Sequence, residues 1–398
     1  MQNPHVLIAG AGPVGLVSAL VLGHQGVRVT VVEAAHSLTH DLRASTFHPP
    51  TLDMLAPFGV TPHLISKGLI ARYTQQRDRV QGVIAQFDMA LLQGQTEYPF
   101  RLQCEQWHMT EYIATLLAKM PHVRVQMGAS LESVTHLPEG ARAVVTIDGA
   151  QEVIEADFLI GADGARSAVR RHLGFSFDGY TYPERFLVIS TEFEFADHMP
   201  RLSYVNYCSD PEQWCVLLRV PAVWRVLFPT DTESSDEACL AAPNAERLLQ
   251  GLVRQATPYE TVHRSLYKVH QRVAGTFRQN RVLLAGDAAH INNPLGGMGM
   301  NGGVHDAMNL CGKILGVIRR GDDFSVLDRY ERQRRTIAIE YINASTARNK
   351  KEIEERDPAV RKRTQDELRA TADDPVLATA YLRKTSMLDA LARAESIE

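Results

Sequence analysis

The stretch from His5 to Glu33, HVLIAGAGPVGLVSALVLGHQGVRVTVVE, decides how the N-terminal part of this chain folds. Its first apolar run is short and continuous, as in a buried parallel strand. A glycine-rich turn follows at residues 10–15, and a longer apolar run compatible with a helix extends from Leu16 to His24. A second β-rich run then ends at Glu33. This order predicts a strand–helix–strand unit with two parallel strands.

The turn has the pattern G-x-G-x-x-G, carried by Gly10, Gly12 and Gly15. In such a turn the first glycine permits the tight bend, the second lets the backbone approach a pyrophosphate, and the third lets helix and strand pack closely. The helix N-terminus offers N–H groups to the diphosphate, and Glu33 could accept hydrogen bonds from ribose hydroxyls. The pattern predicts dinucleotide binding without separating FAD from NAD. The expected contacts are Gly10, Gly12, Pro13, Val14, Gly15, Glu33 and Ala34.

Composition narrows the class of protein. Among 398 residues, 42 Lys and Arg oppose 46 Asp and Glu, which does not suggest a nucleic-acid binder. No apolar run approaches the roughly 20 residues that span a bilayer, and no basic region precedes the first apolar run. The five cysteines are scattered, without metal or redox spacing. We therefore expect a reduced, cytoplasmic protein with no membrane span, no metal site and no nucleic-acid partner.

Two further glycine motifs follow apolar runs. The first is Ile160-Gly161-Ala162-Asp163-Gly164, and the second begins Gly286-Asp287-Ala288-Ala289-His290 and continues through Pro294, Gly297, Gly299 and Asn301. With the N-terminal motif, this set closely resembles the single-component (class A) flavoprotein aromatic hydroxylases, which include para-hydroxybenzoate hydroxylase. Residues 355–387 also resemble shorter relatives of the 3-(3-hydroxyphenyl)propionate hydroxylases.

The resemblance implies an α/β fold. It consists of a Rossmann-like FAD-binding domain, an inserted antiparallel-sheet substrate domain and a helical C-terminal region. We expect the following segments: 1–75, FAD-binding βαβ unit and loop; 76–100, substrate-domain strands; 101–175, FAD-binding continuation with the central Asp-Gly motif; 176–275, antiparallel-sheet substrate domain; 276–320, Gly-Asp segment; and 321–398, helical region.

The resemblance also assigns residues to the cofactor. Asp287 would bond the ribityl chain or a hydroxyl near the diphosphate, and backbone N–H groups at residues 299–301 would face the pyrimidine end of the isoalloxazine. Arg43 would lie beside the flavin and diphosphate, Gln106 would contact the ribityl or adenosine part, and Asp163 would serve FAD and the nicotinamide donor. The implied FAD contacts are Arg43, Gln106, Asp163, Asp287, Pro294, Gly297, Gly299, Met300 and Asn301.

The chemistry implied is aromatic hydroxylation. NADH or NADPH would reduce FAD transiently, and a flavin C4a-hydroperoxide formed with O2 would transfer one oxygen to a phenolic or hydroxylated heteroaromatic ring. Candidate catalytic residues are Tyr204, Arg43 and His48, and candidate substrate contacts are Tyr204 and Arg219. For Tyr204, Arg219 and His48 the alternatives are a packed tyrosine, a solvated edge-strand arginine and an exposed loop histidine.

Other functions on the same fold stay open at this point. The chain could be a reductase, a dehydrogenase or another non-hydroxylating flavoenzyme, or a flavin-binding module without catalysis. A halogenase is disfavoured because Trp107, Trp214 and Trp224 do not form the Trp-x-Trp-x-Ile-Pro segment usual in halogenases of this fold. We expect a monomer or a homodimer whose partners are a small aromatic substrate and O2.

Overall fold

A six-stranded sheet forms one half of the molecule in the computed structural model, which describes residues 4–40 and 44–398. The strand His5–Ala9 lies between Arg28–Glu33 and Phe158–Gly161, and it is parallel to both. It is buried on both faces, and apart from His5 it is apolar. The predicted strand–helix–strand unit is confirmed. The full strand order is Arg278–Gln279, Val282–Leu284, Phe158–Gly161, His5–Ala9, Arg28–Glu33 and Val123–Met127.

An eight-stranded sheet forms the second half. Its strand order is His290–Ile291, His263–Ala274, Phe177–Thr191, Trp224–Pro229, Cys215–Arg219, Val205–Ser209, Tyr73–Asp78 and Gly82–Asp88. All its pairs are antiparallel except that of Tyr73–Asp78 with Val205–Ser209, which is parallel. The predicted boundary between residues 75 and 76 falls inside the strand Tyr73–Asp78. The sequence of residues 73–78 carries no local signal for the point at which the chain passes from one sheet to the other. The six-segment division as a whole stays a prediction.

The two faces of this larger sheet have different neighbours. One face packs its apolar side chains, among them Leu217 and Trp224, in a core with helix Ala242–Leu252. The other face carries Val216 and Leu227, in a cluster that includes Leu295 from the glycine-rich segment and Ile353 from a C-terminal helix. Side chains alternate between faces along a strand. Whether a side chain reaches the glycine-rich segment therefore depends on which of the two faces its position along the strand gives it.

Two small antiparallel sheets complete the strands. One consists of Ala129–Leu137, Gly140–Ile147 and Ala150–Ala156, and the other of Thr46–Phe47, Arg101–Gln103 and Leu69–Ala71. The second brings residues 46–47 and 101–103 together, although they are far apart in the chain. Arg101 and His48, which flank these paired strands, therefore lie near each other in the structure.

Helices cover the sheets and make up nearly all of the chain beyond residue 325. The predicted architecture of a parallel-sheet domain, an inserted and largely antiparallel sheet and a helical C-terminal region is confirmed. Within the described residues, no helix is both long and apolar enough to cross a bilayer. The α-helices are Pro13–His24, Pro49–Leu55, Val60–Lys67, Gln106–Leu117, Ala168–His172, Asp236–Leu240, Ala242–Leu252, Met298–Leu315, Ser325–Thr336, Ala344–Ile353, Pro358–Asp373, Pro375–Thr385 and Leu388–Glu395.

A buried carboxylate, Asp306 of helix Met298–Leu315, connects this helix to three other parts of the fold: helix Ser325–Thr336, the turn at Gly286 and strand His290–Ile291. Its Oδ1 accepts a hydrogen bond from Arg334 Nε at 2.6 Å, and its Oδ2 accepts from the backbone N–H of Gly286 at 3.0 Å and lies 2.8 Å from His290 Nε2. Asp306, Arg334 and His290 are all buried. Burial alone would raise the pKa of Asp306, but Arg334 and His290 hold that pKa well below its usual value. The charge is compensated inside the protein, as burial requires.

We expect Asp306→Asn to destabilise the protein by about 3–5 kcal/mol, because the substitution leaves the buried Arg334 charge without its partner. Denaturant unfolding of the FAD-free protein measures the change. The matched control is Asp328→Asn, which removes an exposed ion pair with Arg278 and should cost about 0–1 kcal/mol. Equal losses in the two variants would contradict this account of the buried cluster.

Candidate flavin and substrate site

The first glycine turn forms a cradle with one open side. Gly10 has φ +102°, and a Cβ placed there would lie 2.4 Å from the Ala162 carbonyl oxygen. A Cβ on Gly15 would lie 1.9 Å from the Gly10 carbonyl oxygen. A Cβ on Gly12 would meet no atom of residues 4–40 or 44–398 within 4 Å, its chain neighbours aside. Gly10 and Gly15 are therefore required by the protein's own packing, whereas Gly12 faces free space at the N-terminus of helix Pro13–His24.

Glu33 turns back onto the same loop. Its Oε2 accepts a hydrogen bond from the Ala11 N–H at 2.8 Å, and its Oε1 accepts from the Ala35 N–H at 2.9 Å. Each carboxylate oxygen has a second lone pair, so the predicted ribose contact remains sterically and chemically open. The neighbouring Ala34 is exposed.

Val14 couples the first motif to the third. A Cβ on either Gly286 or Gly303 would lie 2.6 Å from Val14 Cγ2. Gly286 also has φ +61°, a conformation that favours glycine. The two glycines thus let the Gly-Asp turn and helix Met298–Leu315 close against the first turn. Asp287 is exposed between the buried residues Gly286 and Ala288, so its side chain points out of the core at this junction.

Asp163 lies beside the first turn as well. Its Cα is 3.0 Å from the position of a Cβ on Gly10. Its Oδ2 accepts from the backbone N–H groups of Ala168 and Val169 at 2.6 and 3.1 Å, while its buried Oδ1 has no hydrogen-bond partner among the described residues. Asp163 therefore holds the central motif in shape, and one of its acceptor atoms remains available beside the cradle.

The glycine-rich segment enters its helix through Gly297, which has φ +66°. The N-cap residue is a glycine and supplies no side-chain cap, so within the described part of the chain the first turn leaves backbone N–H groups near Gly299 and Met300 for the predicted contact with FAD. Asn301 uses its side chain for structure. Its Nδ2 donates to the carbonyls of Thr46 and Gly297, and its Oδ1 accepts from the His48 N–H. Pro294 is exposed.

His48 is fully buried, so the alternative of an exposed loop histidine is wrong. Its Nε2 lies 2.9 Å from the Gly296 carbonyl, which can only accept, so Nε2 carries the proton. Its Nδ1 is then an acceptor, and it has no partner within the described part of the chain. Burial, followed by the charge of Arg101, lowers the pKa of His48 well below its usual value. A neutral histidine therefore fixes the start of the glycine-rich segment.

Two predicted cofactor residues lie at the edge of the described structure. The N–H of Gln106, the first residue of helix Gln106–Leu117, donates to the Ala44 carbonyl at 3.0 Å. Arg43, the residue before Ala44, lies outside the described residues. The predicted roles of Gln106 and Arg43 stay predictions.

A cavity opens next to this segment, on the face of the eight-stranded sheet that packs against the glycine-rich loop. Four parts of the structure supply its walls: the eight-stranded sheet, strand Arg101–Gln103 of a small sheet, the loop with the first turn of its helix, and the C-terminal helices. The lining residues are Thr74, Gln76, Arg77, Ile84, Arg101, Tyr207, Ser209, Gly296, Met298, Asn349, Glu352, Ile353, Arg361, Thr364, Gln365, Leu368, Tyr381 and Thr385.

The structure does not bring the predicted substrate residues to this cavity. Tyr204 is 40% exposed and precedes strand Val205–Ser209, whereas Tyr207 lines the cavity. Arg219 lies two residues after Leu217 and so occupies the same face of the sheet, which is the face opposite the cavity. There its guanidinium lies 3.5 Å from Glu194 Oε2. The side chains of both residues point away from the cavity, and strand Cys215–Arg219 contributes no residue to its lining.

Sequence reasoning missed Arg101, Tyr207 and Tyr381, which line the cavity, and Asp306, which supports the segment below it. For Asp306, the signal was an acidic residue in the otherwise apolar and glycine-rich start of a long helix. Arg101 and Tyr381 had no signal, because elements distant in sequence bring them together.

One cluster of possible metal ligands lies elsewhere, at Cys104, Glu105 and His108, whose ligand atoms are within 4.8 Å of one another. Burial raises the pKa of the Cys104 thiol to about 12, whereas a metal ligand must be a thiolate. The expectation that the protein holds no metal stays a prediction.

The site fits FAD on three observations: the open space at Gly12, the unpartnered Asp163 Oδ1, and the uncapped helix turn at Gly299 and Met300. The fold and this site define an FAD-binding protein. Residues 3–345 match the family described as FAD binding domain, and the chain belongs to that family.

Similar proteins define the class more closely. The chain is 34% identical over 385 residues to a para-nitrophenol 4-monooxygenase of Pseudomonas sp. (strain WBC-3), covering 95% of this chain and 94% of that protein. It is 33% identical over 348 residues to a 3-(3-hydroxy-phenyl)propionate/3-hydroxycinnamic acid hydroxylase of Mycobacterium sp. (strain JLS), covering 86% of this chain and 59% of that protein. A crystal structure of p-nitrophenol 4-monooxygenase from Pseudomonas putida superposes with a TM-score of 0.91 at 31% identity, covering 98% of this chain and 97% of that one.

This protein is an FAD-dependent aromatic monooxygenase. The resemblance drawn from its three glycine motifs is confirmed, and hydroxylation is favoured over the reductase and non-catalytic alternatives.

Two single-methyl substitutions separate cofactor binding from folding. We expect Gly12→Ala to leave the unfolding of the FAD-free protein nearly unchanged while weakening FAD binding by roughly tenfold or more, because the methyl group enters the space that a pyrophosphate approaches. Gly15→Ala should destabilise the FAD-free protein itself by about 1–3 kcal/mol through overpacking. FAD titration and thermal unfolding measure the two effects. Normal FAD affinity in Gly12→Ala would place the diphosphate elsewhere.

Stability should fall in acid partly through His305, whose Nε2 lies 3.1 Å from Thr51 Oγ1. Burial lowers the pKa of His305 from 6.5 to about 3 in the folded protein. Between pH 6.5 and 3, His305 is protonated in the unfolded chain but neutral in the folded protein. The stability that comes from burying the neutral ring is therefore fully present above pH 6.5 and is lost as the pH falls towards 3. His305→Gln should flatten the dependence of unfolding free energy on pH in this window. His263→Gln, at an exposed position, is the control and should leave the slope unchanged.

Proposed function

We propose that this monooxygenase hydroxylates a phenolic or hydroxylated heteroaromatic small molecule with NADH or NADPH as electron donor and O2 as co-substrate. The observation that carries the proposal is the cavity at Gly296 and Met298, which adjoins the helix turn expected to face the flavin. The names of both relatives above denote action on ring compounds that carry a hydroxyl group.

FAD, when bound, would supply the reducing equivalents and the activation of O2. Gly12, Asp163, Asp287 and the backbone at Gly299 and Met300 are the groups proposed to hold it. The remaining contributions come from the chain itself. Asn301 and His48 fix the glycine-rich segment, and this fixed segment positions a substrate ring relative to the cofactor site.

The C-terminal helices shield the cavity from water. Arg361 Nη2 lies 2.7 Å from Asp78 Oδ2, and Gln76 Nε2 donates to the Tyr381 hydroxyl at 3.1 Å. These contacts fasten helices Pro358–Asp373 and Pro375–Thr385 to the edge of the eight-stranded sheet. A closed cavity limits the access of water to a reactive oxygen species.

The donor and the cellular setting complete the proposal. The G-x-G-x-x-G at residues 10–15 follows a strand and opens a helix, whereas the second match, at residues 297–302, belongs to the glycine-rich segment already proposed to face the flavin. The nicotinamide donor would therefore bind transiently rather than in a domain of its own. All five cysteines are buried and unpaired in the described structure, which supports a reducing cytoplasmic location. We propose a monomer or homodimer.

The test is NAD(P)H oxidation by FAD-loaded protein, with oxygen uptake and product mass followed together over a panel of phenols and hydroxypyridines. One compound should accelerate oxidation many-fold and gain one oxygen atom. FAD binding without such a compound would contradict the proposal.

A matched pair of variants tests whether the cavity is the substrate site. Leu368→Trp should fill the cavity and abolish the stimulation by that compound, while FAD content and basal oxidation persist. Leu377→Trp, at an exposed position on the neighbouring helix, should retain stimulation. Full stimulation in Leu368→Trp would place the substrate elsewhere.

A further inference from the structure

The cavity contains a cationic group that forms no ion pair with any acidic side chain of the described residues. Arg101 is only 3% exposed. Its two hydrogen-bonded nitrogens donate to neutral oxygens, the Tyr207 hydroxyl at 3.3 Å and the Thr385 carbonyl at 3.1 Å. Its Nε has no hydrogen-bond partner among the described residues. A buried guanidinium with neutral partners is costly unless another group completes its environment.

The other charges that line the cavity do not fill this role. Arg361 is paired with Asp78, which also accepts from Gln365. Arg77 is also buried with neutral partners only, Gln75 Oε1 and the Pro200 carbonyl, but neither of these partners lines the cavity, whereas both partners of Arg101 do. Glu352 lies within electrostatic range of Tyr381, but two cations, Arg348 and Lys384, compensate its charge. Arg101 therefore provides the unmatched charge at the buried end.

Two phenol groups of the same cavity are oriented as donors. The Tyr207 hydroxyl accepts from Arg101, and the Tyr381 hydroxyl accepts from Gln76 Nε2. A hydroxyl that accepts such a bond still has its own O–H to donate. Burial raises the pKa of Tyr381 to about 12, so its proton is retained at neutral pH. One cation and two O–H donors thus border one space.

We propose that this cavity selects ring compounds with a negatively charged oxygen, which Arg101, Tyr207 and Tyr381 bind at its buried end. This inference rests on the proposed function, because it describes the substrate of the same site. A carboxylate substituent and an ionised phenol oxygen share the required chemistry. Charge-assisted hydrogen bonds of this kind contribute more than neutral ones.

Binding to FAD-loaded protein, measured by calorimetry without NAD(P)H, tests the proposal independently of turnover. The carboxylate arm compares benzoate with benzamide, which share shape and differ in charge. The phenolate arm follows 4-nitrophenol across the pH range in which it ionises. We expect the anionic form to bind at least roughly tenfold more tightly in one or both arms, and the arm that shows the preference identifies the source of the charge.

Variants assign the preference to residues. Arg101→Gln should abolish it, and Tyr207→Phe, which removes a single O–H, should weaken anion binding several-fold without affecting benzamide. Arg142→Gln, an exposed arginine on a different sheet, is the matched control and should keep the full preference. If Arg101→Gln does not fold, the binding of benzoate and benzamide to Tyr207→Phe tests the assignment instead.

Three results would overturn the inference: no anionic probe binding more tightly than its neutral counterpart, an undiminished preference in Arg101→Gln, or an equal effect of Tyr207→Phe on benzoate and benzamide. If no compound is turned over but the anionic probes still bind more tightly than the neutral ones, the proposed function is contradicted and the inference about the anion site is not.

Discussion

The ionised carboxylate of Asp306, buried between Arg334 and His290, is the constraint on which the cofactor side of this protein depends. Through the Gly286 N–H it also fixes the turn that exposes Asp287. Helix Met298–Leu315 cannot shift without separating these charges. The protein thus holds a glycine-rich segment, which has little side-chain packing of its own, by electrostatics inside the core.

Much of the fold could be predicted because its signals are local. The strand–helix–strand unit follows from apolar runs and glycines within residues 5–33, and the two later motifs each follow a short apolar run. The point at which the chain changes sheets within Tyr73–Asp78 could not be read, because its parallel pairing with Val205–Ser209 is a contact between distant segments.

The residues of the glycine motifs were also easier to predict than those that line the cavity, the proposed substrate side of the site. Gly10 and Gly15 are dictated by contacts with nearby backbone, and these requirements leave a sequence pattern. The substrate side depends on which face of a strand a residue occupies. Tyr204 and Tyr207, like Arg219 and Leu218, lie close in sequence but differ in direction, and a strand buried on both faces gives no alternation to reveal the difference.

The fastening of the C-terminal helices to strand Tyr73–Asp78 has a consequence for biosynthesis. Every segment that builds the flavin site, including Arg334, is synthesised before residue 358, whereas the helices that carry Arg361 and Tyr381 are synthesised after it. Domains fold as their residues become available. The dinucleotide-binding surface can therefore form before the helices that supply one wall of the cavity are available.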